Sequence, residues 1–596
     1  MGEKPTRPPA AGGTRSAQQR ADAAAARRRA DRPGQSGTPH RPSTQQRSRR
    51  RRQQIARRRA AALATLVAIV IILVVALAAG RSSPRTPGAA VGVGSVYSPA
   101  VHVSKDGDGI KLATFLGTAS RRFYGLGPAP RRLQVIWKTR IGGGWTSGKF
   151  AGDPNMYWSG TGWTGMPALV QEGGKLSVLV GGYDHKLHRV DAATGTILWA
   201  YDFGDVIKSS PSVIANPHPT SADDKYLVLA GSRRGFGLKM GDRRIASYRA
   251  VSFGSGKEVW RLPVPRTLNY TQDTDGSGFF LDGLDYIGVE PGWVYALDPF
   301  RTQPWRAGGQ TFRRPVAVHS RLLLGTAADA ARDPVKHKEG VNLAIEASPA
   351  LLGDTVYIAS GDGHVYGLRR GDLSVVFDYR IGSDLDGTTV PTRAGKLLVS
   401  IEKQYIKGHG GVMMLDPSKP AARSPVWFFP TANRPVAEWD GGVIGSVAVN
   451  DEYGGATKYP PLAAFNAIDG NLYVVSQDTL APGTVRGPNR EHGLHKPVMV
   501  AKTWVNSAIS TPIIVDDTVI DAAYDNVVHL YHLAYKPSSE GADGALRSRD
   551  GHWWTVSLRQ TASFTAGSAF ESTPVLWDGR VYIGSRDGWF YCLGDK

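Results

Sequence analysis

From about residue 130 to the end of the chain, short runs of β-branched and aromatic residues alternate with turns rich in Gly, Asp and Pro. Runs of that length and composition read as strands, and Asp-Gly between two of them reads as a hairpin. Three registers recur. The first is a small residue and a proline opening a strand: TGMPALV at Thr164, KSSPSVI at Lys208, EASPALL at Glu346, ISTPIIV at Ile509 and ESTPVLW at Glu571. The second is a turn followed by an aromatic strand, as in EPGWVYALD, GDGHVYGLR, IDGNLYVV and RDGWFYCLG. The third is a late aromatic: Trp199, Trp260, Trp305, Phe377, Trp427, Trp504 and Trp553, in order. Self-similarity at a roughly fixed period predicts a repeat architecture.

The registers do not tally, and the mismatch is informative. Eight strand openings appear once DGSG at Asp275, DGTT at Asp386 and DGGV at Asp440 are admitted, against seven late aromatics. The last unit stops after three strands, and a three-stranded sheet would leave a bare edge. The missing piece stands at the other end: RRLQVIWKT, with Trp137, precedes every opening and looks like the late strand of a unit without a beginning. Joining residues 133–138 to the last unit completes an eighth four-stranded sheet. Radial arrays of such sheets are β-propellers, and closure removes their exposed edges. The expected fold class is therefore all-β, an eight-bladed β-propeller closed by an N-terminal strand.

Charge changes the picture at the N-terminus. Residues 1–60 carry 17 of the chain's 72 Lys and Arg against three acids, so +14 of the net +21 sits there and +7 is left for the rest. That segment has almost nothing apolar to bury and is expected to be a disordered basic tail. Residues 61–80, AALATLVAIVIILVVALAAG, are uncharged and long enough to span a bilayer as one helix. The arginines before them predict a cytoplasmic N-terminus, so nucleic-acid binding by the tail is the weaker reading. A cleaved signal peptide, with Ala76-Leu77-Ala78 at its end, fits the long leader poorly. The expected organisation is a cytoplasmic tail (1–60), a transmembrane helix (61–80), a Pro/Gly/Ser stem (81–111) and a propeller (112–596) outside the cytoplasm. Its first partner would be the lipid bilayer of a bacterial cytoplasmic membrane, crossed once.

The repeat S-x-P-x-V, D-G-x-V-Y-x-L-D, T-G-x-x-x-W resembles the pyrroloquinoline-quinone-like (PQQ-like) propeller repeat. That repeat is shared by quinoprotein dehydrogenases and the outer-membrane-assembly lipoprotein propeller. The segment TFLGTASRRFYGLGPAPRRLQVIW is similar to the approach to the first blade in membrane-anchored members, and the resemblance covers about residues 112–596. It implies the propeller and leaves function open, since such proteins range from enzymes to scaffolds. In the dehydrogenases the quinone stacks on a tryptophan, usually faces a disulfide of adjacent cysteines, and shares a calcium ion with acidic and amide side chains. This chain has one cysteine, Cys592, which excludes the disulfide. PQQ and calcium remain possible cofactors that no vicinal cysteine pair supports.

Other chemistry is thin. No G-x-S-x-G elbow is present, FGSGKE lacks the spacing of a phosphate loop, and His185 and His188 fall on opposite faces of a strand. DTDGSG, residues 273–278, has the start of a calcium loop without its downstream glutamate. One constellation stands out. The residues three before each strand-opening proline, or its equivalent, are Thr164, Lys208, Asp275, Glu346, Asp386, Asp440, Ile509 and Glu571. Five of these eight are acidic, and innermost strands start around the central channel, so they should ring one of its mouths. Such a ring is either a ligand pocket or a solvated rim. Trp163 stands beside it, placed to stack on a ligand or to pack in the core. The basic excursion at residues 306–340 is too long for a plain connection and should be open to partners. The expected function is a ligand- or protein-binding or assembly scaffold at the cell envelope. A quinone-dependent dehydrogenase is the alternative.

Overall fold

The computed structural model describes residues 103–148, 153–163, 165–267, 271–324, 343–453 and 457–596. The basic tail, the apolar run at 61–80, most of the stem, Thr164 and residues 325–340 lie outside them. Among the described residues no helix is long and apolar enough to cross a membrane. The only helical pieces there are two short 3-10 turns, Ala222–Asp224 and Ala421–Arg423.

Among the described residues, eight sheets of four principal antiparallel strands follow one another along the chain, beside a small two-stranded sheet of Gly143–Thr146 and Met156–Ser159. Blade 1 is Ala168–Glu172, Lys175–Gly181, Lys186–Asp191 and Ile197–Asp202. Blades 2 to 7 have first strands starting at Ser212, Phe279, Ala350, Val390, Ala448 and Ile513. Blade 8 takes Val575–Trp577, Arg580–Gly584 and Trp589–Gly594 from the end of the chain and Gln134–Arg140 from its beginning. The closing strand pairs Trp137 with Cys592 and Arg140 with Trp589. It runs two residues further than the sequence pattern marks.

The late aromatic has a specific structural meaning. It sits at a β-bulge between third and fourth strands, where the ladder slips by a residue: Trp137, Trp199, Trp260, Phe377 and Trp427 occupy this place in blades 8, 1, 2, 4 and 5. Each of the four tryptophan indoles donates to a main-chain carbonyl of the following blade. Trp137 reaches Ala192 at 3.0 Å, Trp199 Phe253, Trp260 Pro299 and Trp427 Gln477, each of the last three at 2.8 Å. The bulge turns the indole toward the neighbouring sheet, and the hydrogen bond satisfies an N–H that burial would otherwise orphan. Trp305, Trp504 and Trp553 are not in this register. The equivalent positions of blades 3, 6 and 7 hold His319, Ala501 and Ala562, because those blades extend their outer strands into long hairpins. Trp305 and Trp553 lie on the extensions, whereas Trp504 stands at the other end of its ladder, opposite Asn471, and is 56% exposed.

Two features close the centre. The residues before the strand-opening prolines form a belt of hydroxyls in which each blade's backbone donates to the next. Met166 N–H bonds Ser210 Oγ, and the pattern continues through Ser277, Ser348, Thr388, Ser446 and Thr511 to Thr573, at 2.8–3.3 Å. Below the belt, the segment that leads into the propeller crosses the axis. Gly109–Leu112 pairs with blade 1 and Gly125–Leu126 with blade 8. Between them Arg121, fully buried, donates to the carbonyls of Phe115, Ser277 and Pro349. Arg122 makes a completely buried ion pair with Glu452 at 2.6 Å. The channel is therefore blind at this end. Cys592 is buried in the last strand, where burial pushes its thiol up to about 11.

If the bulge register, rather than aromaticity alone, marks the blade contacts, Trp137→Ala should be far costlier than Trp504→Ala. Trp137 is 9% exposed between Tyr582 and Phe590, with ring centroids at 6.0 and 6.1 Å. Truncating a buried tryptophan costs about 3–5 kcal/mol, against about 0.5 kcal/mol for a surface change. Urea unfolding of the two variants decides it, and equal midpoints would refute the assignment.

Candidate functional site

The hydroxyl belt fixes which residues are equivalent around the mouth above it. Two positions before the belt residues of blades 2 to 8 stand Lys208, Asp275, Glu346, Asp386, Ile444, Ile509 and Glu571, while the counterpart in the blade 1 sequence, Thr164, lies outside the described residues. Asp440 is not among them. In blade 6 the belt hydroxyl is Ser446, so the ring position is Ile444, and Asp440 lies on the exposed rim. The Asp-Gly pair at 440 imitates the openings at 275 and 386 but lacks a Ser or Thr immediately after it.

On the side of blades 2 to 5 the mouth is an acidic well. Lys208 pairs with Asp275, and its ammonium lies 3.7 Å from Glu346. Three more acids join that the ring pattern misses. Glu290, Asp275 and Glu346 form one group, and Asp384, Asp386 and Glu402 a second; in each, carboxylate oxygens lie within 4.8 Å of one another. All six are at most 9% exposed. Glu290 and Glu402 occupy the position immediately after a blade's second strand, where the other six blades carry Gly182, Ser232, Ser360, Ala467, Ala523 and Ser585. An acid where its counterparts are uniformly small was the signal available in the sequence. Asp273, two before Asp275, is turned away to Arg233 at 2.9 Å and accepts the Arg234 N–H, so residues 273–278 do not wrap one ion as a calcium loop would.

Across the mouth the wall is apolar. Trp163 packs with Ile444, Ile468 and Ile509, flanked by Val436, Trp439 and Tyr524. Glu571 belongs to this half and is neutralised by Arg586 at 2.6 Å, with the Tyr524 hydroxyl at 3.4 Å. Trp163 faces the well: the Lys208 ammonium sits 5.6 Å from its ring centroid, and its indole N–H is buried without a hydrogen-bond partner. The structure thus gathers Lys208, Asp275, Glu346, Asp386 and Trp163, sets Glu571 in a separate ion pair, and leaves Asp440 outside.

Carboxylates this close cannot all ionise cheaply in a buried site. Burial first, then Asp384 and Glu346, hold the Asp386 carboxyl well above its usual range. Burial, then Asp386, Glu346 and Glu438, do the same to Glu402. Glu402 Oε1 has no hydrogen-bond partner. A hard divalent cation fits this donor set: oxygen ligands at roughly 2.4 Å from a calcium ion lie no more than about 4.8 Å apart. A quinone does not fit the residues as they stand. The Trp163 ring is covered by Ile444, Ile468 and Ile509 and approached by Lys208, which leaves no open stacking face beside the acids. The single cysteine is committed to the last strand of blade 8.

No family model matches the sequence, and no curated protein matches it. Solved structures similar to the chain include BamB from Moraxella catarrhalis, 13% identical over 78% of this chain and 98% of that one, with a TM-score of 0.40. Another is a quinohemoprotein alcohol dehydrogenase from Comamonas testosteroni, 14% identical over 81% and 80%, TM-score 0.46. A europium-containing methanol dehydrogenase is 11% identical over 80% and 89%, TM-score 0.46. Likenesses this distant say nothing of what this chain binds. The propeller stands on its own strand pairing.

The raised acids give a pH dependence of definite sign. A carboxyl with a raised folded pKa adds stability that is complete below the unfolded value, about 4, and is lost as pH rises through the folded value. In chelator, the chain should therefore lose stability steadily above about pH 4. Asp521, raised by burial to about 6, and Asp285, raised by burial to about 7, act in the same direction. Glu402→Gln should flatten the fall and be the more stable protein at pH 8. A variant with the wild-type slope would show that Glu402 ionises freely.

Proposed function

We propose that this chain is a membrane-anchored binding propeller whose funnel holds a cation, and that it works outside the cytoplasm as a scaffold rather than as a catalyst. One observation carries the reading: six buried carboxylates, in two groups, share one mouth with Lys208 over a channel blocked at its far end. A buried group of like charges is costly unless it is protonated or bridged by an opposite charge. A divalent ion held among Asp384, Asp386 and Glu402 would offset their mutual repulsion and set the shape of the mouth presented to a partner. The apolar wall of Trp163, Ile444 and Ile509 would then be the contact surface beside the ion. The anchor and the sidedness rest on the apolar run at 61–80 and the arginines before it.

Binding to the folded state alone stabilises by about 2.7 kcal/mol at a hundredfold excess over Kd. Calcium should raise the melting temperature of the full chain in detergent, with or without PQQ. Asp386→Asn with Glu402→Gln should abolish that rise. Wild-type protein that no divalent cation stabilises would sink the proposal, and quinone absorbance retained after gel filtration would favour the dehydrogenase instead.

Topology is checked separately. A reporter enzyme active only outside the cytoplasm should work when fused after Lys596 and fail when fused at residue 40. The opposite pattern would reverse the orientation.

A further inference from the structure

Blade 3 carries a long hairpin, Trp293–Ala307 with Gln310–Leu322, that begins the basic excursion noted in the sequence. Slips in the ladder between Asp298 and Thr302 bend it, and its tip, Gly308, comes against Arg244 of blade 2. Between the hairpin and blade 2's outer strand, Glu258–Leu262, lies a cleft of about 490 Å³. That is the size of an ordinary small-ligand pocket.

Three guanidinium groups line it: Arg243, Arg266 and Arg314. The one acid in the lining, Asp242, is engaged by Arg244, which lies outside it, at 2.7 Å. The Arg314 Nε–H is buried without a hydrogen-bond partner. An unsatisfied buried donor on a cation is costly, and a ligand oxygen would relieve it. The walls are fixed in advance. Gln272 accepts the Gly241 N–H at 2.6 Å and donates to the Val264 carbonyl at 2.6 Å. One buried side chain thus ties together the two segments that carry Arg243 and Arg266. Pro263, Pro265 and Pro315 stiffen the same walls. Backbone segments fixed in this way need no rearrangement on binding, which favours affinity.

Trp305 supplies the second element. It lines the cleft and is backed by Phe312, with ring centroids 5.7 Å apart, and Phe312 in turn lies under Arg261 at 4.1 Å. Phe312, held beneath Arg261 and tilted against Trp305, backs the indole against the pocket, and the Gln303 amide beside it can bond hydroxyls. We infer that the cleft between blades 2 and 3 binds a sugar bearing a phosphate or carboxylate, its anion on Arg243, Arg266 and Arg314 and its ring against Trp305. This site has the opposite sign to the funnel and does not depend on it.

Calorimetry on the full chain in detergent tests the assignment, with glucose 6-phosphate, glucuronate and glucose as probes. At least one anionic sugar should bind, with affinity falling as salt rises, and glucose should bind at least about tenfold more weakly. Preference for glucose 6-phosphate would identify phosphate as the recognised anion, and preference for glucuronate would identify carboxylate. Arg266→Gln with Arg314→Gln should weaken binding at least about tenfold, and so should Arg243→Gln with Arg266→Gln, a pair of exposed residues whose loss leaves the fold alone. Trp305→Ala should weaken it for the charged sugars, while Asp386→Asn with Glu402→Gln should not. No binding of either anionic sugar, or unchanged affinity in both arginine variants, would overturn the assignment.

Discussion

Without the strand Gln134–Arg140, the sheet ending at Gly594 has an unpaired edge and blade 1 loses the indole that reaches across to it. Its pairing with Trp589–Gly594 supplies both, because Trp137 on that strand also donates across to Ala192 of blade 1. The contact between blades 8 and 1 is then chemically the same as those from blade 1 to 2 and from blade 5 to 6. An edge strand is a hazard that proteins must cover, and here the cover comes from the opposite end of the chain. Covering it costs loop-closure entropy for a long segment, but that entropy grows only logarithmically with length.

Closure also explains why charge accumulates at the centre. Once eight inner strands share an axis, residues far apart in sequence at the same step of each strand become neighbours, and the hydroxyl belt locks that step. A single polar choice per blade thus becomes a ring. Blades 2 to 5 placed Lys208, Asp275, Glu346 and Asp386 there, while blades 6 and 7 placed Ile444 and Ile509. The mouth is divided into a charged half and an apolar half for that reason. Arg121 and Arg122, in the segment below, keep water from reaching the acids through the far end.

Much of this was legible in the sequence, and the misses have physical causes. Trp137 could be placed because a bulge aromatic is a local pattern with a nonlocal partner, repeated often enough to reveal the one at the wrong end. Trp305 and Trp553 misled because aromatics on extended hairpins have the same composition without the bulge, and Trp504 because it stands past the slip rather than at it; composition cannot report a ladder slip. Asp440 misled because Asp-Gly is a turn signal wherever it occurs; the hydroxyl two residues beyond a ring position was the sharper mark. Glu290 and Glu402 required knowing where second strands end. The crossing segment of Arg121 and Arg122 offered no repeat to align, since it occurs once.

The chain's overall charge and its funnel have opposite signs, and this bears on what the funnel can hold. Residues 61–596 carry +7, yet the well gathers six buried acids beside Lys208. At physiological salt, fields from exposed charges fade over about 8 Å, so the well attracts only what comes within reach of its own carboxylates. A large cationic protein would meet the positive surface first and could not bring its charge down to buried oxygens. A small ion pays no such penalty and can shed its water for carboxylate ligands. The geometry therefore favours an ion inside the mouth and leaves the apolar wall of Trp163, Ile444 and Ile509 as the part a larger partner could touch. Ion and partner would occupy adjoining halves of one opening, and the ion's effect on a partner would pass through the positions of Lys208 and Trp163, which already face each other.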